Sequence, residues 1–558
     1  MQVNRITGNI DWKAKTADPV WRDGYFDDGR VSIRSERVPV HESCTSVWYD
    51  PEQEVACSFL GYILNREEIC SAHGLQWGEE TRIILDLYHK TGPDFLYLLD
   101  GIFMILVYDR KAGRLLVFTD SFGFVLPLYY QNGDALLFST SLKELLAFSR
   151  IRPVINPDAV RDLLFTRKCI PNELTLVEGV TKLPAGFIMN VDLGKKEIKT
   201  LRASWKVKKV PREEAKRQLI GKIRENVARL MPFTGKHIAC TLSSGFDTNL
   251  LLHFLAGTSG QPVATYTIGG DECDEIPRVK KIIQTYPSVS ARYAHVAADK
   301  LDHLPDIVWH LEGYLFERGI YLMDELGKLL HSFQEQLVFT GEGGDGLFSS
   351  YKNVLVQKMR MQLLGTFTGY LFYRFIRPIF HLNSPEVQVL KKLRRSGFHS
   401  RFSKTRDLNL KKLGILLNAH GVMSLNPLLS FEYRAYCKAL GKNLSRNKQF
   451  YKREIRKIVP RELAGILIKL GGTTDIWYIL EPYLHLLDPL LQSEISRQLI
   501  SRRDLRRIRN HPERYQVLIH QLFYIYTFKE LFLSGKYDFS KPTPGVTLSG
   551  LFASSQPV

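Results

Sequence analysis

The stretch KHIACTLSSGFDTNLLLHFLAG, residues 236–257, constrains the fold more tightly than any other part of the chain. Its first seven residues form an apolar run of strand length. From Thr248 onward the apolar residues Leu250, Leu251, Phe254 and Leu255 recur at helical spacing. A strand that turns straight into a helix leaves the first helical amides without partners. Those donors and the helix dipole favour an anion, commonly phosphate. Taken alone, Ser243, Ser244 and Asp247 could equally be residues that cap a helix.

The same texture continues along the chain. Short strands at 236–242, 263–268 and 336–340 alternate with long helical segments, the pattern of a parallel sheet wrapped by helices. The third strand runs into a second punctuated turn, QLVFTGEGGDGLFSSY (336–351), with three glycines and two carboxylates at a strand end. Open α/β sheets place their ligands at such ends. A tight turn with solvated Glu342 and Asp345 is the plain alternative. Set beside Asp247, however, the second turn completes an outline: amides for phosphate, and one aspartate from each strand end. Mg²⁺ carried by a nucleotide is held by one or two carboxylates and phosphate oxygens.

Residues 1–200 have a different texture. Apolar runs such as VACSFLGYIL, GIFMILVYD and RLLVFTD are separated by turns, with Asn132-Gly133 a hairpin signal and one amphipathic helix over 79–90. They predict two packed sheets with a few helices. The charged segment 206–218, carrying Pro211, marks a boundary leading into a helix, and 410–536 reads as nearly all helical. Two domains are expected, at 1–205 and 206–558. The net charge of +18 calls for an anionic partner without naming it. The dense basic run at 391–412 reads as a solvated loop or a peptide- or nucleic-acid-binding segment. Seven scattered cysteines without a CxxC pair fit a reducing compartment. The polar start carries no secretory signal, and the apolar stretch 368–382 is broken by Arg374, Arg377 and Pro378. No transmembrane segment is expected, and the cytoplasm is the expected location.

The two loops resemble those of the asparagine synthetase family of ATP pyrophosphatases. LSSGFDT is similar to that family's pyrophosphate loop LSGGxDS, and FTGEGGDGLFSSY, 98 residues further on by its aspartate, to GEGxDExFxGY. TYTIGG with DEIPRVKKI (265–282) and AHVA (294–297) resembles the adenosine side. HGVMSLNPLL (420–429) and KREIRKIVPRELAGILIKLGG (452–472) resemble the family's helical C-terminal segments. FLGYILNREEI, GIFMILVYDRKAGRLLVFTDSFGFVLPLYY and VEGVTKLPAGFIM resemble its glutaminase-type domain. The resemblance implies an α/β multi-domain fold. An N-terminal Ntn-type (glutaminase-like) β-sandwich with helices precedes a parallel-sheet α/β ATP-pyrophosphatase domain with a helical C-terminus.

The departures from the family matter as much. Gln2 stands where glutamine-dependent members carry a nucleophilic cysteine whose own amine is the base. The Asn-Gly oxyanion element is Leu60-Gly61, and Asp-x-Glu is Glu80-Thr81-Arg82. Glutamine hydrolysis is therefore not expected, and the domain serves as scaffold, as in the family's β-lactam synthetases and lasso-peptide cyclases. In the other half Ser244 replaces a glycine, tolerable only at negative φ, Thr248 keeps the hydroxyl, and Gly346 replaces a glutamate.

The resemblance then assigns roles. Ser243, Ser244, Gly245, Asp247, Thr248, Thr267, Gly343 and Asp345 bind ATP, and Asp247 and Asp345 hold Mg²⁺. Lys469 contacts phosphate and the tetrahedral intermediate, and Glu342 is the candidate base. As a lone lysine among apolar residues, Lys469 could also snorkel from a helix. The implied reaction adenylates a carboxylate and passes it to an amine, with macrolactam formation in a lasso-type precursor peptide as the leading substrate. A leader-peptide protease would then be a possible partner. A small-molecule or β-lactam-type synthetase and an ammonia-dependent asparagine synthetase are the enzyme alternatives. A pseudoenzyme and a basic nucleic-acid-binding protein are the others, the last without any recognisable base-reading motif.

Overall fold

The computed structural model describes residues 5–554 except 23, 37–46, 124, 150, 167–172, 206–208, 235–236, 259, 271–273, 297, 315–318, 348–407, 442–443, 445–447, 464 and 469–474. Among these, the alternating runs of the N-terminal half pair into two antiparallel sheets of seven and six strands. The hairpin expected at Asn132-Gly133 joins Leu128–Gln131 to Ala135–Ser139, with Asn132 Oδ1 accepting the amides of Asp134 and Ala135. Ile6, Ile10, Phe26 and Ile33 of one sheet bury their side chains against Leu60, Met104, Leu106 and Val117 of the other. The outer face of the six-stranded sheet is covered by the helices Arg66–His73 and Glu80–Thr91, through Ile69, Ile83, Ile84 and Leu87. Both sheet faces being covered explains why Val55–Ile63 and Gly101–Asp109 are almost continuously apolar rather than alternating.

Pro211 stands at the N-cap of the helix Arg212–Leu230, a position where its missing N–H costs nothing. Beyond it lies a five-stranded parallel sheet in the order Val289–His295, Val263–Gly269, Ile238–Thr241, Leu337–Phe339, Met423–Leu425. The chain first builds outward in one direction from Ile238–Thr241 and then in the other. The topological switch therefore falls between that strand and Leu337–Phe339. Loops leaving two such neighbours part to opposite sides and open a crevice at their C-terminal ends.

One sequence expectation is corrected here. The segment 420–429 does not belong to the helical tail: Met423–Leu425 is an edge strand pairing in parallel with Leu337–Phe339. Three apolar-flanked residues ending at Asn426-Pro427 are too short to show any period, and only pairing with the sheet makes them a strand. Otherwise the tail is helical as expected. Its helix Gln516–Phe528, buried from Leu518 onward, packs on Leu304–Leu311 and on Leu163 and Leu164 of the N-terminal half. No helix among the described residues is long and apolar enough to cross a membrane. Residues 368–382 and 391–407 lie outside the described residues; 408–412 open the helix Leu408–Ala419.

Candidate functional site

The loop after Ile238–Thr241 is held by its own side chains. Thr248 Oγ1 accepts the Ser243 amide at 3.2 Å and lies 3.0 Å from Ser243 Oγ, which accepts the Gly245 amide at 3.1 Å. Asn249 Nδ2 donates to the carbonyls of Ser243 and Gly245 at 2.8 and 2.7 Å. These bonds pull the backbone into a tight arch from which the helix Phe246–Thr258 starts, its first-turn amides at the mouth of the crevice. Asp247 is the second residue of that helix. The Thr267 hydroxyl, buried, donates to the Leu242 carbonyl at 2.8 Å and so braces the arch from the neighbouring strand.

Ser244, the departure from the expected glycine, is not among the residues with positive φ, so the condition for a side chain there is met. The side chain has work. Its Oγ donates to the Ile468 carbonyl at 2.9 Å, and its own carbonyl accepts the Ile468 amide at 2.9 Å. This two-way bond ties the segment just before Lys469 to the arch. Lys469 itself lies outside the described residues. The Ser244 amide donates to the buried carboxylate of Glu275, at the N-cap of Ile276–Ile283. That loop amide is therefore already engaged. On the same side Asp274 and His295 approach to 3.6 Å beside Gly269, where a Cβ would strike both.

The second loop meets the first. A Cβ on Gly341 would stand 3.0 Å from Thr248 and 3.1 Å from Asp247 Cβ, and one on Gly344 would stand 2.7 Å from Asp247 Oδ1. At Gly341 a side chain would crowd the start of the Phe246–Thr258 helix, and at Gly344 it would press on the ends of the Asp247 and Lys448 side chains. Gly343 is required for a different reason: its φ is +103°, and a Cβ would press into Leu429 at 2.5 Å. Glu342 lies in this turn, and the backbone of Asp345 in the short helix Gly344–Leu347 places that residue directly after the glycine that faces Asp247.

Three cations were not singled out from the sequence. Lys448 Nζ, almost fully buried, sits 2.5 Å from Asp247 Oδ2, and Lys452 and Arg456 follow at helical spacing over the face of Phe246. Burial and the neighbouring Lys448 hold the Lys452 ammonium below its ordinary range. Lysines or arginines at 448, 452 and 456 form an i, i+4, i+8 stripe, a signal that was present in the sequence without a stated partner. Among the described residues the other oxygen of Asp247, Oδ1, is buried without a hydrogen-bond partner, and the Tyr451 ring packs beside the carboxylate. A carboxylate oxygen unpaired among the described residues, the close approach of Gly344 to Asp247 and Lys448, and a row of cations form an arrangement suited to a metal-bound polyphosphate.

Both halves of the chain match known protein families. Residues 24–202 match the family model for a glutamine amidotransferase domain, and residues 218–422 match that for asparagine synthase. A Methanocaldococcus jannaschii protein bearing the name of a glutamine-hydrolyzing asparagine synthetase is 25% identical over 312 residues, 53% of this chain and 59% of that protein. Asparagine synthetase 1 of Arabidopsis thaliana is 22% identical over 351 residues, 60% of this chain and 55% of that one. The chain thus spans under two thirds of the length of these relatives. A solved Bacillus subtilis glutamine phosphoribosylpyrophosphate amidotransferase, complexed with ADP and GMP, overlaps at 9% identity with a TM-score of 0.25. That match covers 53% of this chain and 75% of the other, and nothing below rests on it.

Proposed function

Because this chain belongs to the asparagine synthetase family, we propose that it activates a carboxylate with ATP and transfers the acyl group to an amine. The observation that carries the proposal is the meeting of the two loops at Asp247 and Gly344, with one aspartate oxygen unpartnered among the described residues. A carboxylate oxygen of the substrate attacks the α-phosphorus, the bond to the β,γ-diphosphate breaks, and pyrophosphate leaves. The amine then attacks the acyl carbon, loses its proton to Glu342, and AMP departs. The arch at 243–248 receives the pyrophosphate at the helix N-terminus, and Lys448 with Lys452 balances its charge. Lys469, carried on the segment that Ser244 fixes, is assigned to the phosphate and the tetrahedral intermediate. Asp247 and Asp345 would hold Mg²⁺, whose role is to neutralise the charge of the leaving pyrophosphate.

We further assign the substrate as a peptide that supplies both carboxylate and amine, so that the product is a macrolactam. The long basic segment within 352–419 supports a macromolecular substrate. A protease that trims the same peptide would be a partner. The names of the relatives favour a second reading, in which aspartate is amidated by free ammonia. Chromatography of the nucleotide products tests the core of the proposal. AMP and pyrophosphate should appear in equal amounts, dependent on Mg²⁺ and substrate, whereas ADP as sole product would overturn it. Mass spectrometry separates the two substrates: a cyclised peptide loses one water, while aspartate with ammonia yields asparagine.

A further inference from the structure

Tyr62 belongs to the strand Val55–Ile63 of the N-terminal domain, directly after the Leu60-Gly61 pair, yet its hydroxyl reaches into the other domain. It is fully buried and accepts the backbone N–H of Asn426 at 3.0 Å. Burial raises its phenol well above the ordinary range, so it stays protonated. Asn426 is also fully buried. Its Oδ1 accepts the Thr340 hydroxyl, and its Nδ2 donates to Ser424 at 3.2 and 3.1 Å. The Thr340 amide is bonded to the Leu425 carbonyl at 2.9 Å. Thr340 is the last residue before Gly341, and Leu429, three residues beyond Asn426, is the side chain on which Gly343 rests.

Segment 424–432 therefore has two faces. One carries the glycine-rich loop, and the other is fastened to the N-terminal domain. A second fastening comes from the residue just before the neighbouring strand Gly101–Asp109: the carboxylate of Asp100 accepts the amides of Phe431 at 2.7 Å and Glu432 at 3.1 Å, at the start of the helix Phe431–Ala439. Phe431 stacks on Trp205 at 5.0 Å and leans on Phe122 at 6.0 Å.

We propose that Tyr62 is a positioning residue for nucleotide binding, through which the N-terminal domain sets the glycine-rich loop at Gly341–Gly344 by way of Asn426 and Thr340. The physical reason is satisfaction of buried polar groups: every polar atom of Asn426 that holds the loop depends on a fixed backbone at 424–426, and Tyr62 supplies the partner for its N–H. Without that hydroxyl the N–H is left unpaired in a dry seam and the segment must shift to find another acceptor. The proposal rests on the reading of this crevice as the ATP site.

The test is calorimetric titration of the full chain with Mg·ATP, alongside thermal melting. Tyr62→Phe keeps the ring and removes only the hydroxyl, and should weaken the Kd for Mg·ATP by roughly ten-fold. Thr340→Val breaks the next link and should give a similar loss, and the double variant should be no worse than the weaker single one, because both act through one chain of bonds. Tyr88→Phe is the control. It deletes a bond of 2.9 Å to Asp109 on the outer side of the same domain and should leave the Kd unchanged. If Tyr62→Phe and Thr340→Val bind Mg·ATP like the wild type, whatever their melting temperatures, the positioning role is overturned while the ATP site stands. If the wild type binds no Mg·ATP, the reading of the crevice falls and takes the positioning role with it.

Discussion

Glu80 and Asp247 are both carboxylates in the first turn of a helix, and both sit where the family places chemistry, yet their surroundings differ in kind. Glu80 is 0% exposed and paired with Arg66 at 2.8 Å. The Arg66 guanidinium is in turn closed in by the faces of Trp77 at 4.1 Å and Phe233 at 5.0 Å. Leu60, at the former oxyanion element, is packed in the core between the sheets. Asp247 has a side chain 19% exposed, one oxygen on Lys448 and the other without a hydrogen-bond partner among the described residues, close against Gly344. A helix N-terminus offers the same dipole to both. The difference lies in what closes around the carboxylate: at Glu80 the protein supplies the cation and the walls, and at Asp247 it supplies one cation and leaves the second oxygen without a partner among the described residues.

The comparison can be broken most sharply by neutralising each carboxylate in turn. Asp247→Asn should lower AMP formation by at least about 100-fold, the several kcal/mol that a metal-held leaving group contributes, with the chain still folded. Glu80→Gln should leave AMP formation within about two-fold of wild type while lowering stability by on the order of 3 kcal/mol, since it strands a buried Arg66. Activity lost with Glu80 and retained with Asp247 would reverse the assignment of the two regions.

The seam between the regions gives the next effect. Burial raises the Asp100 carboxyl to about 6, against the helix amides and Arg229, which favour its charged form, and with Glu432 adding to the rise. An acid whose folded pKa is raised binds its proton more tightly in the folded state. The contribution of Asp100 to stability is therefore full below about pH 4 and declines as pH rises to about 6, by about 3 kcal/mol in all. Asp100→Asn should remove that segment of the stability–pH curve, measured by urea unfolding between pH 4 and 7. An unchanged curve would show that Asp100 ionises freely and that the seam is wetter than its geometry implies. The smallest effect is expected at Ser244. Ser244→Ala removes the bond to the Ile468 carbonyl and should slow amide formation by about five-fold, through the freedom it gives the segment before Lys469. Restoring the family glycine should do the same.

The two loops, their order and the strands that carry them were legible in the sequence because each is a local event. An apolar run ends, small and polar residues follow, and a helical period begins. The hairpin at Asn132-Gly133 and the helix after Pro211 were legible on the same terms. The strand Met423–Leu425 was not, since three residues carry no period and only a neighbour in the sheet gives them an identity. Lys448 was not either, because 201 residues separate it from Asp247 and nothing in either stretch mentions the other.

The sequence by itself determined where the two strand-end loops fall, which residues stand there for the proposed phosphate and metal roles, and which positions depart from the glutaminase-type pattern. The tertiary structure alone decided how those residues are used. It gave Ser244 a partner at Ile468, set Lys448 against one oxygen of Asp247, and brought Tyr62 of one domain to the segment that shapes a loop of the other. Strand, turn and helix are decided by neighbours within a few residues, whereas a buried hydrogen bond between distant segments exists only once the core has closed and removed water as the competing partner.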